Sequence, residues 1–156
     1  MLILGIDPGS VRVGFGLIKK DRGLKLLKCG LLKIQSKEKS GRFLELENSF
    51  RQLIKKEKPN LVALEKLYFM KNQKPGLEVA EARGILILNI IKAKIPFVEY
   101  SPSQIKNSVA GYGLADKTAV ARMCAKILGV DKIKGFDDVS DAVAVAITAS
   151  NVLLTV

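Results

Sequence analysis

The chain opens MLILGIDPGSVRVGFG. Residues 2 to 7 are apolar at every position up to Asp7, which predicts a strand buried on both faces. The chain then turns over Pro8-Gly9-Ser10. It resumes with Val11, Val13, Phe15 and Leu17 on one face and Arg12, Gly14 and Gly16 on the other. That alternation is the period of a strand, and the short DPGS link predicts a hairpin between residues 2–7 and 11–18. A carboxylate therefore ends a strand that is otherwise core. A turn accounts for it in one way, because Asp before Pro-Gly is common there. A functional site accounts for it in another.

The remaining chain alternates strand and helix signals. A third strand fits residues 24 to 34, and its pattern slips between Leu26 and Leu27, so a bulge is expected there. Residues 41 to 58 carry Phe43, Leu46, Phe50, Leu53 and Ile54 on one helical stripe, and Pro59-Asn60 ends them. Residues 60 to 65 form a fourth strand ending in Glu65. A lysine-rich loop follows over residues 66 to 76, long enough to be functional. Residues 77 to 93 predict a helix apolar almost all round, buried on two sides against the sheet and a second subunit. Residues 95 to 100 form a short fifth strand. Ser101, Pro102 and Gln104 make a capping box that starts the next helix. Gly111-Tyr112-Gly113 leads to a helix over 115 to 128 closed by Gly129, and a last helix runs from 137 to 153. The pattern is α/β, a five-stranded mixed sheet flanked by helices, antiparallel first and then joined by crossovers. Length and the absence of repeats or linkers predict a single domain over residues 1–156.

Charge and composition narrow the chemistry. Lysine and arginine number 26 against 15 acids, a net charge of +11. Such a surplus points to an acidic partner, and nucleic acid is the first candidate. No apolar run is long enough to span a bilayer, and no basic leader precedes the first strand, so no membrane role and a cytoplasmic location are expected. Cys29 and Cys124 lie far apart and fit a reducing compartment. The chain has no histidine. Carboxylates, lysines or an oxygen-ligated metal must carry any catalysis.

Acids stand where they are costly. Asp7 and Glu65 end two strands. Asp138 and Asp141 share a face at the start of the last helix, as do Asp137 and Asp141. Each has an ordinary explanation as a turn residue, a solvated strand end or a helix cap. Asp141 resists it, lying one turn inside a Val/Ala-rich helix. Gathered at one end of a sheet, four carboxylates need a cation, and all-oxygen donors select Mg²⁺ or Mn²⁺. Two such ions about 4 Å apart are the standard device for in-line displacement at a phosphate.

Two further groups complete the pattern. Lys106 and Lys117 flank the Gly111/Gly113 loop and can steady a phosphate near the acids. Tyr68 and Phe69 sit in the lysine-rich loop beside Lys66, Lys71 and Lys74. An aromatic ring on a basic loop can stack on an exposed base or wedge into an opened step.

These residues resemble a family. GIDPGS at the start, ALEKLYFMKN around Glu65, ARG at 82–84, PSQIKNSVAGYGLADK at 102–117 and DVSDAVAVAIT at 138–148 look like the RuvC crossover (Holliday) junction endodeoxyribonucleases. The likeness runs in register over nearly the whole chain. It implies a ribonuclease-H-like fold and a homodimer that nicks opposing strands of a four-way junction symmetrically with Mg²⁺ or Mn²⁺. It also implies work with the RuvA and RuvB branch-migration proteins. By matching motif the catalytic acids are Asp7, Glu65, Asp138 and Asp141, with Asp138 preferred over Asp137. Lys106 and Lys117 fall on the family's active-site lysines. Tyr68 falls where many members carry an inserting phenylalanine, and Phe69 is its neighbour.

Other classes share parts of this pattern. GIDPGS also resembles the first phosphate loop of actin-like and sugar-kinase ATPases, which need two such domains. A non-catalytic junction binder would not need Glu65 and Asp141 where they stand. A related nuclease acting on RNA, other branched DNA or single strands shares the same acids.

Overall fold

The computed structural model describes residues 1–67 and 73–152. Strands β1 (Leu2–Asp7), β2 (Gly14–Lys20), β3 (Leu24–Leu31), β4 (Leu61–Glu65) and β5 (Phe97–Tyr100) form one sheet in the order β3-β2-β1-β4-β5. The first three pair antiparallel, whereas β4 runs parallel to both β1 and β5. This is the expected mixed sheet. Its helices are α1 (Lys39–Glu57), α2 (Gln73–Lys92), α3 (Pro102–Ala110), α4 (Lys117–Leu128) and α5 (Asp137–Val152).

β1 is central and buried on both sides, as its unbroken apolar run requires. Leu4 and Ile6 face one core, shared with Phe15, Leu17 and the buried faces of α1 and α2. Ile3 faces the other core, shared with Ile18, Ala63 and Val143, Ala146 and Ile147 of α5. α3 and α4 close that layer through Ile105, Val109, Val120 and Cys124.

Glycine lets α5 settle on the sheet. Gly5 and Gly16 are cross-strand partners on β1 and β2. A Cβ at Gly5 would fall 2.6 Å from the Ala146 amide nitrogen, and one at Gly16 would fall 2.6 Å from Val143 Cγ2. Gly14, opposite Asp7, lies against the Asp138 backbone in the same way. The glycine side of β2, set against the apolar side in the sequence pattern, is therefore a groove for a helix and not a solvent face.

Several boundaries move for physical reasons. Residues 8–13 form a turn rather than the start of β2, because Gly9 folds back against the Arg12 backbone. Val11, expected on the apolar face, is consequently 60% exposed. The predicted bulge is present: Leu17 pairs with Lys28 and Ile18 with Leu26, so Leu27 has no partner in the ladder. α1 begins at Lys39, two residues early, and ends with Lys58 in the left-handed conformation before Pro59. α2 begins at Gln73 and takes in part of the predicted loop. Pro75 fits there because a helix's first turn needs no amide hydrogen. The capping box is formed: Ser101 Oγ accepts from the Gln104 amide, and Gln104 Oε1 accepts from the Ser101 amide. Asp116 was not foreseen as a cap, yet its carboxylate accepts from the Ala119 amide at 2.7 Å and starts α4 at Lys117. α5 starts where expected, and Leu153 lies outside the described residues.

The all-apolar helix is buried on one side. Ala82, Leu86 and Ile90 of α2 face the core, while Leu77, Leu88 and Ile91 remain exposed. Arg83 of the same helix is ion-paired with Glu99 of β5, which ties α2 to the sheet edge.

Gly5→Ala is expected to push α5 off the sheet and destabilise the chain by about 3 kcal/mol, a fall in Tm of roughly 6–12 °C. Gly23→Ala, where nothing lies within 4 Å of the new methyl, serves as the control. Calorimetry on the two variants checks this, and equal Tm values would contradict the groove.

Candidate active site

Asp7 and Glu65 are brought together by the parallel pairing of β1 and β4. Ile6 is in register with Leu64, so the next residue on each strand is an acid at the same sheet edge. The N-terminus of α5, seated on Gly14, carries Asp138 and Asp141 to that edge. A cleft of about 300 Å³ opens there. Asp7, Glu65 and Asp141 line it with Lys106 from α3 and Lys117 from α4, over a wall that includes Ile105 and Val120.

The electrostatics follow from this crowding. Burial, then the charges of Asp141, Glu65 and Asp138, push the Asp7 carboxyl from 3.8 up to about 7. Burial and Asp141 also raise Glu65, with Lys117 and Lys106 opposing. Lys117 Nζ donates to Asp141 Oδ2 at 3.0 Å, which holds the ammonium above its ordinary range. Asp138 stands just outside the cleft lining, ion-paired through Oδ2 to Arg12 Nε at 3.2 Å. Among the described residues no lysine or arginine pairs with Asp7. Spacing leaves Asp137 and Asp138 both open. Of the two, Asp138 is the one whose charge acts on Asp7, while Asp137 lines a separate groove with Arg122 and Lys132.

Six predicted residues thus share one end of the sheet: Asp7, Glu65, Asp138, Asp141, Lys106 and Lys117. Lys66 follows Glu65 directly, with an exposed side chain and its amide bonded to the Tyr100 carbonyl at 2.8 Å. Tyr68, Phe69 and Lys71 lie outside the described residues, and Lys74 falls in the first turn of α2. As they stand, no three acids among the described residues are close enough to hold a metal ion. Two of the four are engaged by cations, Lys117 on Asp141 and Arg12 on Asp138. Sequence reasoning missed Arg12 because it assigned the residue to a strand, on the face shared with Gly14 and Gly16. Gly9, which can fold a turn back on itself, was the available signal.

A larger cleft of about 630 Å³ lies at the opposite end of the sheet, between the last turns of α1 and α2. Its one acid, Glu47, is already paired with Arg51. Size does not make it the site, because chemistry of the kind expected needs clustered acids.

The model of a known family, Crossover junction endodeoxyribonuclease RuvC, matches residues 3–149. The chain belongs to the RuvC family. A RuvC relative from Caldicellulosiruptor saccharolyticus is 41% identical over 149 residues, 94% of this chain and 90% of the relative. One from Prochlorococcus marinus is 42% identical over 151 residues, 95% of this chain and 97% of the relative. Among solved structures, Thermus thermophilus RuvC in complex with a Holliday junction substrate superimposes with a TM-score of 0.90 at 28% identity, covering 99% of this chain and 96% of that one. The yeast mitochondrial resolvase Ydc2, at 16% identity and a TM-score of 0.65 over 94% of this chain and 77% of its own, shares the fold. The ribonuclease-H-like expectation is met. The chain is a crossover junction endodeoxyribonuclease, a hydrolase of DNA phosphodiester bonds acting in recombination and repair. RuvC nucleases are metal-dependent. Among the described residues no helix is long and apolar enough to cross a membrane.

The raised Asp7 pKa carries a stability prediction. The folded chain holds this proton up to about pH 7, whereas the unfolded chain releases it near 3.8. Its penalty on the fold therefore grows between those values and is full above them, at roughly 4 kcal/mol. Asp7→Asn removes the penalty. In EDTA at pH 8 its Tm should exceed the parent's by several degrees, and the gap should close as the pH is lowered to 4. Calorimetry showing equal Tm values at pH 8 would refute the buried-charge account.

Proposed function

We propose that Asp7, Glu65, Asp138 and Asp141 together hold Mg²⁺ or Mn²⁺, two ions per site, and that this centre hydrolyses opposing strands of a four-way DNA junction in paired symmetric nicks. The observation that carries the reading is Asp7: a half-buried carboxylate at a strand end, crowded by like charges and ion-paired with no cation among the described residues. Oxygen donors without histidine fit a hard divalent ion. When bound, such ions supply Lewis acidity, lowering the pKa of water and neutralising charge at the scissile phosphate.

The chain's own residues do the positioning. Asp7 and Glu65, fixed on adjacent parallel strands, hold one side of the site. Asp141 and Asp138 hold the other from a helix locked in the core. Lys106 and Lys117 face the same cleft and grip the phosphate, stabilising charge that builds during displacement. Ile105 and Val120 limit water on the cleft wall, which strengthens those contacts. Lys66, Lys71 and Lys74 follow the backbone of the approaching strands. Tyr68 or Phe69 enters the opened centre of the junction, where unstacked bases offer their faces.

Two coordinated nicks require two sites. The exposed Leu77, Leu88 and Ile91 of α2 support a homodimer through that helix. Family membership supports junction DNA as substrate, cooperation with RuvA and RuvB, and a cytoplasmic setting. We read residues 1–156 as one nuclease domain. A non-catalytic junction binder is disfavoured, because nothing in binding alone requires a destabilising, charge-crowded carboxylate such as Asp7.

An immobile four-way junction with Mg²⁺ tests the reading. Paired symmetric nicks are expected, and Asp7→Asn should keep junction binding while losing cleavage by at least about 10³-fold. Binding without cleavage under any divalent ion would refute it. Replacing Tyr68 and Phe69 together with alanine should slow junction cleavage by about tenfold or more and change affinity less. Unchanged cleavage would show that neither ring enters the junction.

A further inference from the structure

Arg12 holds Asp138 in an arrangement with two supports. Its Nε lies 3.2 Å from Asp138 Oδ2. Its guanidinium carbon lies 4.5 Å from the centroid of the Phe136 ring. Each support has its own origin. Gly9 folds residues 8–13 back on themselves and takes Arg12 off the strand. Gly135, at φ 115°, makes the sharp turn into α5 that places Phe136 just before the helix. Phe136 remains 56% exposed, and the guanidinium covers part of its ring. A planar guanidinium on an aromatic face is the favoured cation–π partner, and Arg forms it better than Lys.

The consequence shows in the cleft. Asp7, Glu65 and Asp141 line it, while Asp138 stands outside, held at the edge by Arg12. Lys117, 70% exposed, holds Asp141 from within the cleft. Arg12 therefore differs from Lys117 in pairing with an acid that does not line the cleft.

We infer that Arg12, seated on Phe136, is a positioning residue that competes with the divalent ion for Asp138 and so sets how readily the site completes its ligands. The inference rests on the four-acid reading above. An ion that takes Asp138 Oδ2 displaces the guanidinium from it, which leaves an arginine free at the mouth of a site built for phosphate. Planar guanidinium and phosphate pair in bidentate fashion. DNA thus gives the released arginine a new partner, and ion and DNA binding assist each other through it.

Titration of the DNA-free protein with Mn²⁺ by calorimetry tests the inference without cleavage. Arg12→Gln should tighten Mn²⁺ binding about two- to fivefold, the scale of a half-exposed ion pair. Phe136→Leu, which keeps every charge, should tighten it by a smaller factor. In an Asp138→Asn background the Arg12→Gln effect should vanish, because the competed carboxylate is gone. An effect of equal size in that background would mean that Arg12 acts only through its long-range charge, and the inference would fall. Unchanged or weaker binding in Arg12→Gln would overturn it while the four-acid reading stood, provided Asp7→Asn and Asp138→Asn still lose Mn²⁺ affinity. Absence of Mn²⁺ binding in every variant would overturn both.

Discussion

The close seat of α5 on the glycines of β1 and β2 organises this molecule. Gly5, Gly14 and Gly16 remove the Cβ atoms that would hold the helix away, and the helix answers with Ala142, Val143 and Ala146. The face it turns to the sheet is almost wholly buried: Val139, Ala142, Val143, Ala146 and Ile147 are all at or below 1% exposed. A helix bound by many dispersion contacts at short range has one allowed depth and one allowed rotation. Because α5 begins beside Asp7, that depth also sets where Asp138 and Asp141 meet the strand-borne acids. Packing and chemistry are thus the same constraint: the residues that lower the helix onto the sheet are the ones that assemble the site.

That assembly works against itself electrostatically. Like charges are brought together in a partly dry cleft, and Asp7 answers by holding its proton to about pH 7. The cations are distributed unevenly. Lys117 serves Asp141 and Arg12 serves Asp138, the two acids on the helix. Asp7, on the strand, has burial and repulsion without an ion pair among the described residues. Buried charge of this kind lowers stability unless a counter-ion arrives, and active sites commonly give up stability in this way.

Much of this was legible in the sequence, for local reasons. The apolar run of β1, the capping box at Ser101 and the slipped alternation at Leu26-Leu27 each encode their structure within a few residues. The acids were legible as misplaced charge: Asp141 inside an apolar helix has no structural account of its own. What escaped depends on contacts between distant segments. Gly14 and Gly16 share the alternating face with Arg12, and period alone cannot show that a helix will lie over the glycines while Arg12 leaves the strand. Asp116 as a cap and Pro75 inside α2 escaped because proline and aspartate each fit both a loop and a helix start. The identity of Asp138 over Asp137 came from motif likeness, since both satisfy the helical spacing to Asp141.

The turn between β1 and β2 illustrates how such a fold gains control over its site with little added structure. It carries no core residue between Asp7 and Val13, so the sheet does not dictate its path. One end is pinned by Asp7, the other by Gly14 beneath α5, and both anchors are part of the acid cluster or touch it. Arg12 reaches the start of α5 from this turn. There Asp138 favours a cation and Phe136 offers a flat surface to receive it. The rigid elements fix the acids, and the short turn between two of them is free to set the charge that those acids face.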